Sequence, residues 1–306
     1  MLSEQLLELV PGAAEVRGVE QLTGGASRET WSFDALIDGE WRPLVLRRGR
    51  SDRASMAVEA VAFEAAARAG VPEPRIVARG DSFLVMERIE GETIARRILR
   101  DERFADARPH LAEQCGEILA RIHSISPGEV PGLDARDPLA ETAAMIRSFE
   151  EPSPALELGL AWLERNRPEP EPGGGAVLHG DFRLGNLMIG EDGVRAVLDW
   201  ELIHRGDRWQ DLGYLCVRAW RFGGEQPVGG FGAYEDLFRG YERVSGREVD
   251  PDRVRWWEVF GTVWWGGVCM QQAWRHLSGS ERSVELAAIG RRVWEQEYDV
   301  LLALAP

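Results

Sequence analysis

The chain has 306 residues, 44% of them hydrophobic, and a formal net charge of −15. That length supports one large domain or two lobes with their own cores, and no apolar run reaches the ~20 residues that span a bilayer. So acidic a chain lacks the basic surface that nucleic-acid phosphates demand, so neither nucleic acid nor membrane is expected as a partner. All 36 basic residues are arginine. Cys115, Cys216 and Cys269 are odd in number and far apart in apolar, helix-like contexts. They read as buried, reduced thiols of a cytoplasmic protein. The opening Met1-Leu-Ser-Glu-Gln-Leu-Leu-Glu8 has no basic stretch, so it reads as a short amphipathic helix and not as a signal peptide.

The first part reads as strands. Val16 to Thr23 is one. Thr30 to Ile37 alternates, with Trp31, Phe33, Ala35 and Ile37 on one face. Asp38-Gly39 is a turn signal, and Pro43 to Arg47 is the next strand. Residues 54–69 are rich in Ala and Glu with apolar residues at helical spacing, and Gly70 caps the end. Arg75 to Ala78 and Ser82 to Met86 complete an antiparallel sheet of five strands with one helix.

From Gly91 the pattern turns helical, with helices expected at 92–100, 107–125, 137–150 and 154–165. Residues 167–175 are a linker rich in Pro and Gly. Short strands at 186–189 and 194–198 flank the turn Glu191-Asp-Gly193. Helices are expected at 209–222, 231–244, 251–277 and 281–304. The helix at 251–277 carries apolar stripes on two faces, Trp256, Val259, Val263, Met270, Trp274 and Trp257, Phe260, Trp264, Val268. Such a helix is largely buried, or it serves as an aromatic wall for a substrate, a cation included.

The chemistry concentrates in Asp181, Asn186 and Asp199. Asp-x4-Asn is the spacing at which a kinase orients a hydroxyl with Asp and holds magnesium with Asn. Asp199 ends a short apolar strand, where a second oxygen ligand for that hard cation would sit. A lone Asp at a strand end is usually a turn or cap residue, but three oxygen ligands at this spacing point to phosphoryl transfer.

His179-Gly-Asp-x4-Asn186 followed by Leu198-Asp-Trp-Glu201 resembles the aminoglycoside phosphotransferase and choline kinase family. Leu22 to Thr30, Gly70-Val-Pro-Glu-Pro74 and Gly206 to Gly213 are similar to it as well, so the likeness covers most of the chain. The resemblance implies an α+β, protein-kinase-like fold of two lobes. A nucleotide-binding lobe would occupy 1–88 and a mainly helical catalytic and substrate-binding lobe 89–306. It implies ATP, with GTP as the alternative, and Mg2+ as cofactors, and a small-molecule hydroxyl as the acceptor.

The same resemblance distributes the roles. Asp181 accepts the acceptor's proton, and Arg183 steadies the transferring phosphoryl group. Asn186 and Asp199 hold the metal. Gly24, Gly25 and Ser27 cover the phosphates through closely approaching backbone. Arg47 takes the place of the kinase lysine on the phosphates and pairs with Glu59. Glu64, on a different face of that helix, is the rival, and both cannot serve. The backbone of Glu87 and Ile89 bonds adenine. His179 braces the loop, and Asp211 accepts hydrogen bonds from its backbone or simply caps a helix.

Only eleven residues separate Asp199 from Asp211, and Trp200-Glu201 stands where protein kinases have Phe-Gly. A small molecule is therefore expected as the acceptor, not a protein. Residues 1–88 hold 14 acids and 11 Arg, the remainder 37 acids and 25 Arg. An acidic second half favours an aminoglycoside, amino sugar or other cationic alcohol. The cationic alcohol is the preferred expectation, and the aromatic helix supports the alternative, a hydroxyacyl or other lipophilic alcohol. Arg in place of lysine at position 47 raises a third reading, an inactive nucleotide-binding protein. A hydrolase or zinc protein has no motif to support it.

Overall fold

A computed structural model of the chain describes residues 2–22, 28–49, 56–133, 137–170 and 173–305. In the first part, helix α1 (Leu2–Leu9) precedes strands β1 (Ala13–Leu22), β2 (Arg28–Ile37) and β3 (Glu40–Gly49). Helix α2 (Met56–Arg68) leads to β4 (Ile76–Gly80) and β5 (Phe83–Glu87). The five strands form one antiparallel sheet in the order β1-β2-β3-β5-β4.

Strand alternation gives this sheet two buried faces. Phe33, Ala35, Ile37, Leu44, Leu46 and Val85 pack with Leu6 and Val10 of α1 and the turn after it. The intervening Leu84 and Met86, with Val45, turn to the other face and join the core under α2. Arg47 shares the face of Val45, which aims its guanidinium at α2 and the rest of the molecule.

The remainder is mainly helical. It runs α3 (Ala95–Arg100), α4 (Arg108–Ile122), α5 (Pro138–Ser148), α6 (Pro154–Arg165), α7 (Trp209–Cys216), α8 (Tyr234–Ser245), α9 (Pro251–Leu277), α10 (Val284–Gly290) and α11 (Val293–Leu304). Two short ribbons interrupt it. One joins β6 (Ala176–Leu178) to β9 (His204–Gly206), and the other joins β7 (Leu187–Gly190) to β8 (Gly193–Val197). The starts of α5, α6 and α9 share one device. Asp137, Ser153 and Asp250 cap the first turn through side-chain oxygens, each followed by Pro at the first helical position.

Several expected boundaries shift for local reasons. The helix expected at 92–100 begins only at Ala95, because Glu92 is bridged to Ile189 and its carboxylate accepts from the Thr93 and Ile94 amides. The helix expected at 209–222 ends at Cys216, whose carbonyl accepts two hydrogen bonds from Arg221. A 3-10 turn takes over at Arg218–Arg221. The single helix expected at 281–304 is two helices. Gly290 sits so close to α9 that a Cβ there would lie 2.7 Å from the Ala273 side chain, and the chain turns after it. The three cysteines are free and buried, and no helix among the described residues is long and apolar enough to cross a membrane.

Candidate active site

The β7–β8 hairpin closes the gap between the three central residues. Asn186 precedes β7 and Asp199 follows β8, and the Leu198 N–H donates to the Asn186 carbonyl at 2.8 Å. Two residues thirteen apart in sequence thus stand side by side. Asp199 has a left-handed backbone, φ 67°, a strain that a non-glycine residue tolerates where its surroundings fix it.

Asp181 arrives from β6 through Gly180, whose φ is 84°. A Cβ on Gly180 would stand 2.3 Å from the Leu202 carbonyl oxygen, so only glycine fits. The Asn186 amide nitrogen donates to the Asp181 carbonyl at 2.9 Å and to its Oδ2 at 2.6 Å. Arg183 Nε donates to Asp181 Oδ1 at 3.0 Å, and its guanidinium lies 4.9 Å from the centre of the Trp220 ring. Arg183 therefore clamps Asp181 from one side, held in turn by an aromatic face.

His179 is fully buried. Its Nδ1 accepts from the Asp181 N–H at 3.2 Å, which makes Nε2 the protonated nitrogen that donates to the Leu198 carbonyl at 3.0 Å. Burial lowers its pKa and keeps the ring neutral, as that pattern requires. His179 thereby ties the Asp181 loop to the strand that delivers Asp199. Its ring packs on Trp200 and Phe182, and Trp200 on Phe63 of α2.

Asp211 does more than cap a helix. From α7 its Oδ1 accepts from the Gly180 N–H at 2.9 Å, and its Oδ2 from the His179 N–H at 2.8 Å. Burial alone would raise its pKa, but His123, His179 and the Gly180 amide outweigh it and hold the carboxyl below the usual range. His123, which the sequence did not single out, lies 3.1 Å from Asp211 Oδ2 and 3.1 Å from the Tyr241 hydroxyl.

Arg47 settles the choice between the two glutamates. Its Nη1 lies 2.7 Å from Glu59, which is buried, while Glu64 pairs with Arg79 at the surface. The other arm of Arg47 reaches Asp199 Oδ1 at 2.6 Å. At the expected hinge, the Glu87 N–H donates to Arg75 and the Arg88 N–H to Pro43. The Ile89 N–H has no hydrogen-bond partner among the described residues. Gly24, Gly25 and Ser27 lie outside the described residues.

This arrangement has relatives. A model of the phosphotransferase enzyme family, APH, matches residues 18–256. The chain belongs to that family. An aminoglycoside 3'-phosphotransferase of Streptomyces fradiae is 26% identical over 79% of this chain and 88% of its own. Acyl-CoA dehydrogenase family member 10 of Mus musculus is 29% identical over 64% of this chain, which spans only a fifth of that relative. Among solved structures, a choline/ethanolamine kinase family protein from Mesorhizobium loti superposes with a TM-score of 0.69 at 19% identity, covering 100% of this chain and 96% of that one. A thermostable mutant of the aminoglycoside phosphotransferase APH(4)-Ia, solved with ADP and hygromycin B, gives 0.68 at 16%, covering 100% and 99%. The protein-kinase-like fold with its five-stranded sheet is thereby established, and the chain is a member of the phosphotransferase enzyme family.

Beside Asp181 the protein has a cavity of about 730 Å³ that reaches from Gly180 to α9. Its wall includes Tyr214, Trp256, Trp257, Phe260 and Trp264. On the aromatic helix, Trp256 and Trp257 are buried and also line the cavity, while Trp274 is 54% exposed and is not part of this wall. Glu141, Glu169, Glu201 and Asp207 face Arg167, Arg205 and Arg253 around this wall, and Asp207 is already paired with Arg253 at 2.7 Å. The rim is close to neutral despite the acidity of the whole chain.

Proposed function

We propose that the protein transfers the γ-phosphoryl group of ATP, with Mg2+, to a hydroxyl of a small organic molecule held in the cavity beside Asp181. One observation carries this reading: the hairpin sets Asn186 against both Asp181 and Asp199. Because the Asn186 amide nitrogen is spent on Asp181, its carbonyl oxygen remains for a cation. With an Asp199 carboxylate oxygen, that makes two hard ligands, a number that suits a magnesium ion otherwise held by water and phosphate. The bound metal would neutralise charge on the phosphates.

The residues of the chain supply the rest. Asp181 accepts the hydrogen bond of the acceptor hydroxyl and takes its proton as the new O–P bond forms and the bond to ADP breaks. Arg47 swings its fork from Asp199 onto the α- and β-phosphates while Glu59 holds its other arm. Arg183 steadies the transferring group, and the backbone of Glu87 and Ile89 receives adenine. Gly24, Gly25 and Ser27 belong to the phosphate-covering loop in this reading. Residues 1–88 act as the nucleotide lobe, and 89–306 as the catalytic and acceptor lobe.

For the acceptor, the bulk charge and the cavity favour different molecules. The net charge of −15 and the likeness to an aminoglycoside phosphotransferase support a cationic alcohol. The aromatic wall and the nearly neutral rim support a lipophilic or hydroxyacyl alcohol, and the acyl-CoA dehydrogenase relatives agree with it. Local surroundings govern binding more than total charge does, so the cavity gives the second reading the stronger support. ADP release over a panel of amino alcohols, neutral alcohols and hydroxyacyl compounds tests both. Turnover that Asp181→Ala and Asp199→Ala abolish supports the kinase, and its acceptors name the class. Nucleotide binding without turnover across the whole panel would instead mark an inactive nucleotide-binding protein.

A further inference from the structure

One helix governs both the backbone and the side chain of Asp181. Asp211 of α7 holds the two amides just before it, at Gly180 and His179. Tyr214 lies three residues further along α7 and so on the same face. The residue lines the cavity that Gly180 also lines, and its phenol is near enough to the Asp181 carboxylate to feel its charge. The ring is wedged between Trp220 and Trp264, with centroids at 5.5 and 5.7 Å. On α9, Gly261 makes room for it, since a Cβ there would lie 3.0 Å from the Tyr214 ring. Trp220 in turn supports Arg183, the guanidinium on the other side of Asp181. Arg183 and Asn186 thus engage the two carboxylate oxygens from within the loop, and Tyr214 stands near the same carboxylate at the cavity.

We propose that Tyr214 is a positioning residue: its O–H donates to the Asp181 carboxylate and fixes the orientation in which a remaining lone pair faces the acceptor hydroxyl. This role rests on the kinase reading above. Burial, with Asp181 alongside, pushes the Tyr214 phenol well above its usual value, so it stays protonated and can only donate to a carboxylate. A neutral donor at that place orients Asp181 without adding charge to the acceptor pocket.

The test uses Tyr214→Phe, which removes one oxygen and keeps the ring between its tryptophans. With an acceptor from the ADP-release panel, kcat falls roughly tenfold or more, while KM for ATP and the melting temperature hold. Retained kcat overturns the proposal. So does a parallel loss of ATP affinity and melting temperature, the mark of a merely structural residue. A second arm needs no turnover. The chain has four tyrosines, and 13C labelling at Cζ gives each one resonance, with Tyr214→Phe identifying that of Tyr214. In Asp181→Asn that resonance moves and those of Tyr234, Tyr241 and Tyr298 stay. An unmoved Tyr214 signal overturns the contact. Wild-type protein that phosphorylates no hydroxyl overturns the kinase reading instead, and the NMR arm still decides the contact.

Discussion

Arg47 Nη2 lies 2.6 Å from Asp199 Oδ1, an ion pair between residues 152 positions apart that ties the β-sheet to the hairpin of the helical part. The same guanidinium holds Glu59 at 2.7 Å. A lysine has one compact charge and cannot span two carboxylates in a fixed fork. Arg47→Lys is therefore expected to keep ATP binding within about tenfold but to loosen one of the two pairs, whereas Arg47→Met leaves the buried Glu59 short of its cation. For Arg47→Met we expect a loss of at least roughly a hundredfold in kcat/KM for ATP and about 3 kcal/mol of stability. Steady-state kinetics and urea melts check both; an active, stable Arg47→Met would remove Arg47 from the phosphate site.

The two glutamates of α2 give a sharper comparison. Glu59 is buried against Arg47, while Glu64 and Arg79 are each more than 40% exposed. Exposed pairs contribute about 0–1 kcal/mol. Glu64→Ala should leave activity and melting unchanged, and Glu59→Gln should lower kcat/KM by roughly tenfold or more. Equal effects from the two would contradict the geometry.

Asn186 engages Asp181 through nitrogen, so its oxygen is the part available to a cation. Asn186→Ala loses both functions and should reduce kcat by roughly a hundredfold while raising the Mg2+ concentration needed for half-maximal rate. Asp199→Ala should abolish magnesium-dependent nucleotide binding in calorimetry. Unchanged magnesium dependence in both variants would place the metal elsewhere.

Asp211 is fully buried and its pKa is lowered. Its stabilising contribution is therefore complete above the unfolded value of 3.8 and is lost as pH falls through the depressed native one. Asp211→Asn keeps the shape but puts an amide N–H against backbone donors. It should cost about 2–4 kcal/mol at pH 7, with the gap to wild type narrowing in acid. Thermal melts at pH 7 and pH 3 measure the gap; one that does not change with pH would mean that charge is not what Asp211 contributes.

How much of this was legible followed from how local each signal is. Asp181, Asn186 and Asp199 could be read because a turn at Glu191-Asp-Gly193 and two short apolar strands bring them together without help from distant chain. The starts of α5, α6 and α9 were expected within one residue of where they fall, and each proves to be a capping residue followed by Pro. Glu59 and Glu64 could not be separated, because the answer depends on which sheet face carries Arg47. Tyr214 and His123 carried no motif at all. Each matters only through what α7 and α4 are packed against. The three-residue strands β6 and β9 are too short to show alternation, and the break after α10 comes from the approach of Gly290 to α9.

Glu73 lies in the Gly70-Val-Pro-Glu-Pro74 segment, and neither of its buried carboxyl oxygens has a hydrogen-bond partner among the described residues. The Trp200 indole N–H lies close by without closing a bond of ordinary geometry. Burial raises the carboxyl well above 4.5. The folded chain thus binds this proton more tightly than the unfolded chain does. Its protonated form supports folding below pH 4.5, and stability is lost as the pH climbs from there through the raised native value. Glu73→Met keeps the length and removes the titration, so it should stabilise the protein by about 1–3 kcal/mol at pH 8. The gain should shrink as the pH falls toward the unfolded value of 4.5. Because Glu258 and Asp299 are also raised by burial, only the difference between variant and wild type isolates Glu73. A stability gap that stays constant from pH 5 to pH 8 would mean that this carboxyl does not titrate on unfolding. Trp200 links α2 to the His179 loop, so a firmer seat for its ring should also leave kcat undiminished.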